Sequence, residues 1–559
     1  MSGKKSWVLV LAGLTVIMAG GAGAAVYFQS RFVKLTVRDS ISRLPVETIA
    51  AAYVSGETED WSQLQQFGEA ANRETIGLWL KQLEELAVGD SQISVVQDIL
   101  PWVANVTVAM LPPERPPSGV STALTQQSNL VMLVGIKNKL RAWNFARKFQ
   151  SRPGVKTEKI PYNGLTISKT GTDQSNATYT VVKGDYLAVA ADRQSIEQVI
   201  DTIQSGTALD DNETAVKLIA KNEANPLSLA HLYIFNPAAT LQALQEFTGQ
   251  TTPLRVQYFE NAVASISLDG GGVRIKSSFE IPAGSLPPGA NPQNLYSDFP
   301  VDTAALMVGN GISKFWSTVV AVSASDANVA AQLQTVRSVF KSYGNFDADK
   351  EIFGWMDGDY AVGAILPKPG SLSQPGMLML FETTNRDAAL AAMKKLETFA
   401  RSALPVELKV QESVSSIGDD RIPMTQWTLA GQGMILGGYG WIEKEKMLFA
   451  FTGQMPSLSW LGSADKKGLP EKSGDNRSLS ASPNFQATVN SLTSPNQGYF
   501  YLDVARIFGQ VGPMLRSSNQ IPPVGFALLE SVNALAATTV IPDPETVQVE
   551  AIIALQRQK

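Results

Sequence analysis

The sequence predicts an α+β chain in which an N-terminal transmembrane helix is followed by two related domains, each a mostly antiparallel sheet with helices packed on one side. Three observations carry this expectation. An uncharged apolar run occupies residues 7–28. Alternating apolar segments with the period of a strand interleave with amphipathic segments of helical period. A set of sequence landmarks also occurs twice in the same order, which is the mark of an internal duplication.

The run WVLVLAGLTVIMAGGAGAAVYF has 22 residues without a charge, and a helix of that length spans roughly 30 Å of hydrocarbon. Trp7, Tyr27 and Phe28 lie near its ends, where interfacial aromatics are favoured. Lys4 and Lys5 precede it, whereas Arg31, Lys34 and Arg38 follow it. The small residues Ala22-Gly23-Ala24 offer a signal-peptidase site. Two outcomes follow: an uncleaved signal anchor, or cleavage near Ala24. The anchor reading assigns 1–6 to the cytoplasm, 7–28 to the membrane and 29–43 to a juxtamembrane segment. The large C-terminal part is then expected in a periplasm or lumen, from a plasma or thylakoid membrane.

The duplication sets the remaining boundaries: a first repeat domain over 44–283, a linker over 284–298 and a second repeat domain over 299–559. LPVETIAAAYVSG from Leu44 is echoed by FPVDTAALMVGNG from Phe299, and ILPWVANVTVAMLP from Ile99 by IFGWMDGDYAVGAILP from Ile352. Helices bearing Trp61 and Trp316 are expected after the first pair, and Trp102 corresponds to Trp355. The strand LVMLVGI is followed by KNKLRAWNFARKF, and MLMLFET by NRDAALAAMKKLETFA, where Asn385 is the expected N-cap. A three-strand meander follows in each copy, with turns at Lys183-Gly184-Asp185 and Glu443-Lys444-Glu445. The helix RQSIEQVIDTIQ presents Ile196, Val199, Ile200 and Ile203 on one face. The hairpins NAVASISLDGGGVRIKSSFEI and NALAATTVIPDPETVQVEAII end the two copies.

Composition limits the chemistry. Of 559 residues, 46 are Lys or Arg and 51 Asp or Glu, a net charge of −5 that offers nothing to nucleic acid. With no cysteine there is no disulfide, thiolate nucleophile or cysteine metal site. The one histidine, His231, lies in the apolar pattern SLAHLYIFN and reads as a structural residue aligned near Gln497 or Gly498. Gly270, Gly271 and Gly272 fall inside a hairpin and lack a phosphate-loop context. The acid pairs Glu59-Asp60, Asp419-Asp420 and Asp357 with Asp359 read as turn residues. The four tryptophans above read as packing elements, with an apolar groove as the alternative. No catalytic, metal-ligating or cofactor-binding residue is nominated, and no cofactor is expected.

The span, the LPVETIAAAYVSG opening, ILPW…VTVAMLP, NLVMLVGIKNKLRAWNFARKF, NGLTISKT and DYLAVAADRQSIEQVI together resemble a family of bacterial, notably cyanobacterial, membrane-anchored proteins that carry domain of unknown function 3352. The resemblance implies an anchored periplasmic or lumenal protein and supplies no catalytic residue. The leading expectation is a non-enzymatic scaffold, assembly or interaction factor with the membrane and a membrane-associated protein as partners. The alternatives are a binding protein for an apolar ligand such as a lipid or pigment, and an enzyme with a noncanonical acidic site.

Overall fold

β-branched and aromatic residues alternating with small ones give the chain a long series of strands, and each finds its partner mostly in sequence order. The computed structural model describes residues 36–57, 60–61, 67, 95–112, 129–151, 155–171, 177–222, 228–248, 260–269, 271–282, 292, 295–324, 326–366, 375–403, 407–417, 420–431, 435–451, 478–518 and 521–557. The strands of the first half are β1 Ala50–Ser55, β2 Val103–Leu111, β3 Asn129–Ile136, β4 Lys156–Tyr162, β5 Leu165–Gly171, β6 Thr178–Lys183, β7 Tyr186–Ala190, β8 Ser228–Ile234, β9 Ala262–Asp269 and β10 Gly272–Glu280. Those of the second are β11 Thr303–Asn310, β12 Asp359–Ile365, β13 Gly376–Glu382, β14 Leu408–Ile417, β15 Asp420–Leu429, β16 Ile435–Trp441, β17 Lys446–Phe451, β18 Gly498–Leu502, β19 Val532–Asp543 and β20 Thr546–Leu555. Helices are α1 Val37–Ile41, α2 Lys139–Gln150, α3 Arg193–Ser205, α4 Glu213–Asn222, α5 Pro237–Thr248, α6 Ile312–Ser323, α7 Ala327–Ser342, α8 Arg386–Ala403, α9 Pro483–Thr488, α10 Val504–Ser518 and α11 Pro523–Glu530.

Among the described residues, 20 strands form one sheet. Every pairing is antiparallel, in the order β4-β5-β6-β7-β3-β2-β1-β8-β9-β10 and then β20-β19-β18-β11-β12-β13-β17-β16-β15-β14. The order within one half repeats in the other. The halves join where β10 lies against β20, with Gly272 facing Ala554, Glu280 facing Thr546 and Lys276 facing Glu550 at the centre. Because Gly272 and Thr546 each open the return strand of their own hairpin, opposite Asp269 and Asp543, the seam is self-complementary. Its geometry is that of two copies related by a two-fold axis. A Cβ on Gly272 would stand 2.0 Å from the Ile553 carbonyl oxygen, so this close approach requires glycine. The outer edge strand β4 carries Lys156, Lys159 and Pro161, residues that discourage further strand addition.

The expected architecture is corrected in three respects. The sheet is continuous through β10 and β20, so the two related parts are halves of one open sheet rather than two separate domains. Helices cover both faces, not one. Ile196, Val199 and Ile200 of α3 pack with Tyr53, Leu133 and Ala188 on one face, while Phe145 of α2 packs with Trp102, Val106 and Val134 on the other. The second half repeats this, with Phe485 of α9 beside Leu306, Leu378 and Tyr501, and Ala389 and Met393 of α8 beside Trp355, Phe381 and Phe449. The transmembrane expectation is corrected as well. Residues 7–28 lie outside the described residues, and among those described no helix is long and apolar enough to cross a membrane. The signal-anchored, single-pass topology with a periplasmic or lumenal C-terminal part is therefore not carried forward.

Local details explain why corresponding sequences fold alike. Thr48 Oγ1 donates to the Pro45 carbonyl and Thr303 Oγ1 to that of Pro300, each at 2.6 Å. The Leu209 N–H reaches the Leu44 carbonyl at 2.9 Å, and the Leu479 N–H reaches that of Phe299 at 2.8 Å. Leu44 and Phe299 are fully buried. Asn138 and Asn385 cap α2 and α8 through Oδ1, accepting from Arg141 and Ala388. Tyr53 faces His231, and Val308, placed after Thr303 as Tyr53 is after Thr48, faces Tyr499. His231 thus corresponds to Tyr499, not to Gln497 or Gly498.

Candidate functional site

The apolar stripe of α8 repeats at helical spacing through Ala389, Ala392, Met393 and Leu396, and its buried side faces the second half of the sheet. Opposite lies the end of α7, which runs through residues 343–347 into a π-helical turn, Ala348–Ile352. The turn is pinned twice. Asp347 Oδ1 accepts from the Asp349 and Lys350 N–H groups, while Glu351 Oε2 accepts from the Asp347 N–H at 2.7 Å, in the reciprocal manner of a capping box. Arg337 of α7 holds Asp349 with two hydrogen bonds of 3.0 and 2.6 Å, and Trp316 Nε1 of α6 adds a third at 2.8 Å. The Arg337 hydrogen bonds keep the Asp349 carboxyl below its ordinary range despite the cost of desolvation.

Between these elements is a cavity of ≈ 190 Å³. Trp355, 1% exposed, contributes to its wall and donates Nε1–H to the Glu351 carbonyl at 3.1 Å. Phe346, Met393, Leu396 and Phe399 line it further, and Tyr343, 65% exposed, stands at its rim. Gly344 makes the bend possible, because a Cβ there would meet the Phe346 ring at 2.5 Å. Asn345 follows with φ of 52°, a conformation its short amide tolerates.

The charged member of the wall is Glu351. Lys395 of α8 pairs with its Oε2 at 2.6 Å, donates to the Asn345 carbonyl at 2.8 Å, and sits 5.2 Å from the centre of the Phe346 ring. The Lys395 hydrogen bond, helped by the Asp347 N–H, holds the Glu351 carboxyl below its usual range, so it is ionised at neutral pH. The first half carries the same tie in miniature. Lys148 of α2 pairs with Asp98 at 2.8 Å, and Trp102 Nε1 donates to the Asp98 carbonyl at 2.8 Å. Residues 68–94 of that half lie outside the described residues. Sequence reasoning picked out Trp102 and Trp355 but missed Glu351 and Lys395. The signal was an acid four residues before each of these tryptophans, matched by a lysine at the same place in α2 and α8.

The other residues weighed from sequence do not converge here. Trp61 is buried and donates to the Ser55 carbonyl, whereas Trp316 is only half-buried and meets the Phe353 ring at a tilt, 4.2 Å between centres. Asp60 accepts from Ser55, and Asp359 from Asn310. Partial burial opposes ionisation of Asp357, yet hydrogen bonds from Thr384 keep its carboxyl below the ordinary range. Glu59, Asp419 and Gly270 lie outside the described residues, while Gly271 belongs to the β9–β10 turn and Gly272 opens β10. Among the described residues, no three acidic or histidine side chains gather to hold a metal.

His231 lies on β8, 4% exposed, between the rings of Tyr53 and Tyr233 at 5.9 and 5.8 Å, and its Nδ1 meets no partner among the described residues. Burial pushes its pKa down to about 4. The unfolded chain takes up this proton near its ordinary value of about 6.5. Stability is therefore full above that value and falls as pH drops towards 4, by about 3 kcal/mol in total. His231→Phe is expected to remove this part of the acid loss. Urea unfolding at pH 7 and pH 4.5 checks it, and an equal acid loss in both proteins would contradict the buried neutral imidazole.

The chain belongs to the family described as "Protein of unknown function (DUF3352)", whose model matches residues 9–555. That description gives neither an organism nor a membrane, so the cyanobacterial source and thylakoid or periplasmic setting expected from the sequence are set aside with the anchor. No curated protein matches. Among solved structures, crystal form III of TP0453 is similar with TM-score 0.26 and 10% identity, covering 43% of this chain and 79% of that one. Crystal form I of TP0453 gives 0.25 and 9%, covering 44% and 81%. At such scores the likeness carries no argument.

Proposed function

We propose that this protein is a non-enzymatic binding protein for an apolar ligand, held in the cavity between α7 and α8. The observation that carries this reading is the cavity itself: ≈ 190 Å³, with a surface almost wholly of aromatic, aliphatic and thioether groups. Pockets for whole drug-sized ligands run to about 300–1,000 Å³. This one suits a single ring, a short branched chain, or the apolar end of a larger lipid or pigment. Placing Phe at Ala392, a wall residue that is 6% exposed, is expected to fill it.

Calorimetric titration with ethylbenzene tests the reading. The unaltered chain is expected to bind, Ala392→Phe to lose binding, and Met393→Ala to accept the larger naphthalene. Absence of binding to the unaltered chain, or binding indifferent to both substitutions, would contradict it. Thermal melts of the variants separate lost binding from lost folding.

A second reading, a scaffold that docks another protein, is favoured by a separate feature. Ile266, Ile275, Ala551, Ala537, Phe500 and Met307 are successive cross-strand neighbours on one sheet face. Ile266, Phe500 and Met307 are 38–45% exposed, and contiguous apolar surface of this kind marks contact sites. Phe500→Asp with Met307→Asp is expected to abolish capture of a protein partner while leaving ethylbenzene binding intact. Partner capture that survives the double substitution would remove this face from consideration.

A further inference from the structure

We infer that β14, at the outer edge of the second half, pairs antiparallel with β14 of a second copy of this chain. Two molecules then share one sheet about a two-fold axis at Ser413. The two outer edges differ in their backbone. β4, at the edge of the first half, contains Pro161, whose missing N–H interrupts the row of donors. β14, with the sequence LKVQESVSSI, has no proline and among the described residues pairs only with β15.

Two observations fix which residues of β14 turn outward. The Glu407 carbonyl accepts from the Ala430 N–H, so Glu407 points its backbone groups inward. Pro423 of β15 stands opposite Val414, and with no N–H to give it marks that pair as one without ladder hydrogen bonds. The pairing runs from Leu408 to Ile417 without a register shift, so the alternation holds throughout. Leu408, Val410, Glu412, Val414 and Ser416 therefore direct N–H and C=O away from β15. Arg401 of α8 takes the Leu408 carbonyl at 3.2 Å. The outward backbone groups of Val410, Glu412, Val414 and Ser416 meet no partner among the described residues.

This row matches a copy of itself. It is centred on Ser413, so a second β14 turned about that point brings Val410 opposite Ser416 and Glu412 opposite Val414. Each such pair exchanges both ladder bonds, and the row is used completely. Charge agrees with this register, because Glu412 faces a valine. A centre at Glu412 would set two carboxylates opposite each other, which destabilises a ladder. Val414, 60% exposed, gains the second Val414 as its diagonal neighbour. α8 shares a core cluster with Leu408 and Val410 at the start of β14, so the two-fold sets the two α8 helices at opposite ends of the paired strands. The molecule already joins its own halves in this manner, through β10 and β20.

The chain has no cysteine, so a single introduced thiol reports its own neighbour. In this pairing the two Ser413 Cα atoms stand about 4.5 Å apart, as in a pair without ladder bonds, which is within disulfide reach. Gln411 instead faces position 415 of the other copy, and the two Gln411 residues are roughly 13 Å apart at about 3.4 Å per residue. Light scattering of the full chain is expected to show a mass rising from one chain to two with concentration. Val414→Pro removes an outward N–H and no internal one, so it is expected to stay monomeric with an unchanged circular dichroism spectrum. Ser413→Cys is expected to form a covalent dimer on mild oxidation, and Gln411→Cys to stay monomeric. A monomer at every concentration, a dimer that survives Val414→Pro, or equal cross-linking at both positions overturns the inference. Where Val414→Pro fails to fold, the two cysteine variants decide. Association through the face at Phe500 and Met307, or capture of another protein's strand, leaves Ser413→Cys without a cross-link and also overturns it.

Discussion

Trp355→Ala is expected to destabilise the second half of the sheet by about 3–5 kcal/mol, the usual range for emptying a buried large aromatic position. Trp355 is the largest of the fully buried side chains and meets Phe381 edge-on at 5.3 Å. Its indole N–H also satisfies the Glu351 carbonyl at the end of the π-helical turn. Alanine removes the packing and leaves that carbonyl without its donor, so the turn and the α8 side of the cavity loosen together. Trp355→Phe keeps most of the volume but not the N–H and is expected to cost clearly less. A chain of this size need not unfold in two states, so the clean readout is amide hydrogen exchange along β12 and β13. Protection there should fall, while β2 and β3 stay protected. Unchanged protection in β12 and β13 would show that Trp355 is not a keystone of this layer.

The second large effect is expected at the seam. Glu550 is 1% exposed and faces Lys276 at the centre of the β10–β20 junction. It accepts from Arg274 through Oε1 and from the Thr493 N–H at 2.7 Å through Oε2. Arg274 also reaches Asp269 and the Ser491 carbonyl, each at 3.1 Å. Removing Arg274 strands the buried Glu550 carboxylate, whereas Arg274 is 21% exposed and also pairs with Asp269. Arg274→Met is therefore expected to cost about 3–5 kcal/mol, whereas Arg274→Met with Glu550→Met is expected to recover most of it. Amide hydrogen exchange along β10 and β20 in the two single variants and the pair gives the coupling. Additive losses would mean that the two side chains do not act as a unit across the seam.

Much of the individual element pattern was legible because it is local. Alternation marked β2, the repeated hairpin marked β9 and β10, glycine marked the β6–β7 turn, and Asn385 announced the start of α8. The way the halves meet was not legible. β10 and β20 each read as the second strand of an ordinary hairpin, and nothing local distinguishes a strand that ends a sheet from one that continues into a distant copy. A row such as Ile266, Ile275, Ala551 and Phe500 likewise has no signature in any single strand.

The helices show the same limit. The sequence of α2 offers an apolar surface of Leu140, Trp143, Phe145 and Phe149, yet Leu140 and Trp143 are 68% and 54% exposed. Only Phe145 and Ala142 reach the core cluster, because the helix rests on Trp102 along a narrow line. Arg147 covers the Trp143 ring from 4.6 Å instead. The cavity was hidden for a related reason. Its walls come from residues 340–356 and 392–399, and each segment alone reads as a normal amphipathic surface. The void exists only where Gly344 lets the chain turn back and Lys395 fastens it to α8.

Difference density from a crystal of the full chain soaked in bromobenzene most directly tests whether this protein binds apolar ligands at that void. The bromine anomalous peak is expected inside the cavity, among Phe346, Trp355, Met393 and Phe399, and absent from a crystal of Ala392→Phe treated identically. An empty cavity, or a peak found only on the open sheet face beside Phe500 and Met307, would contradict the account.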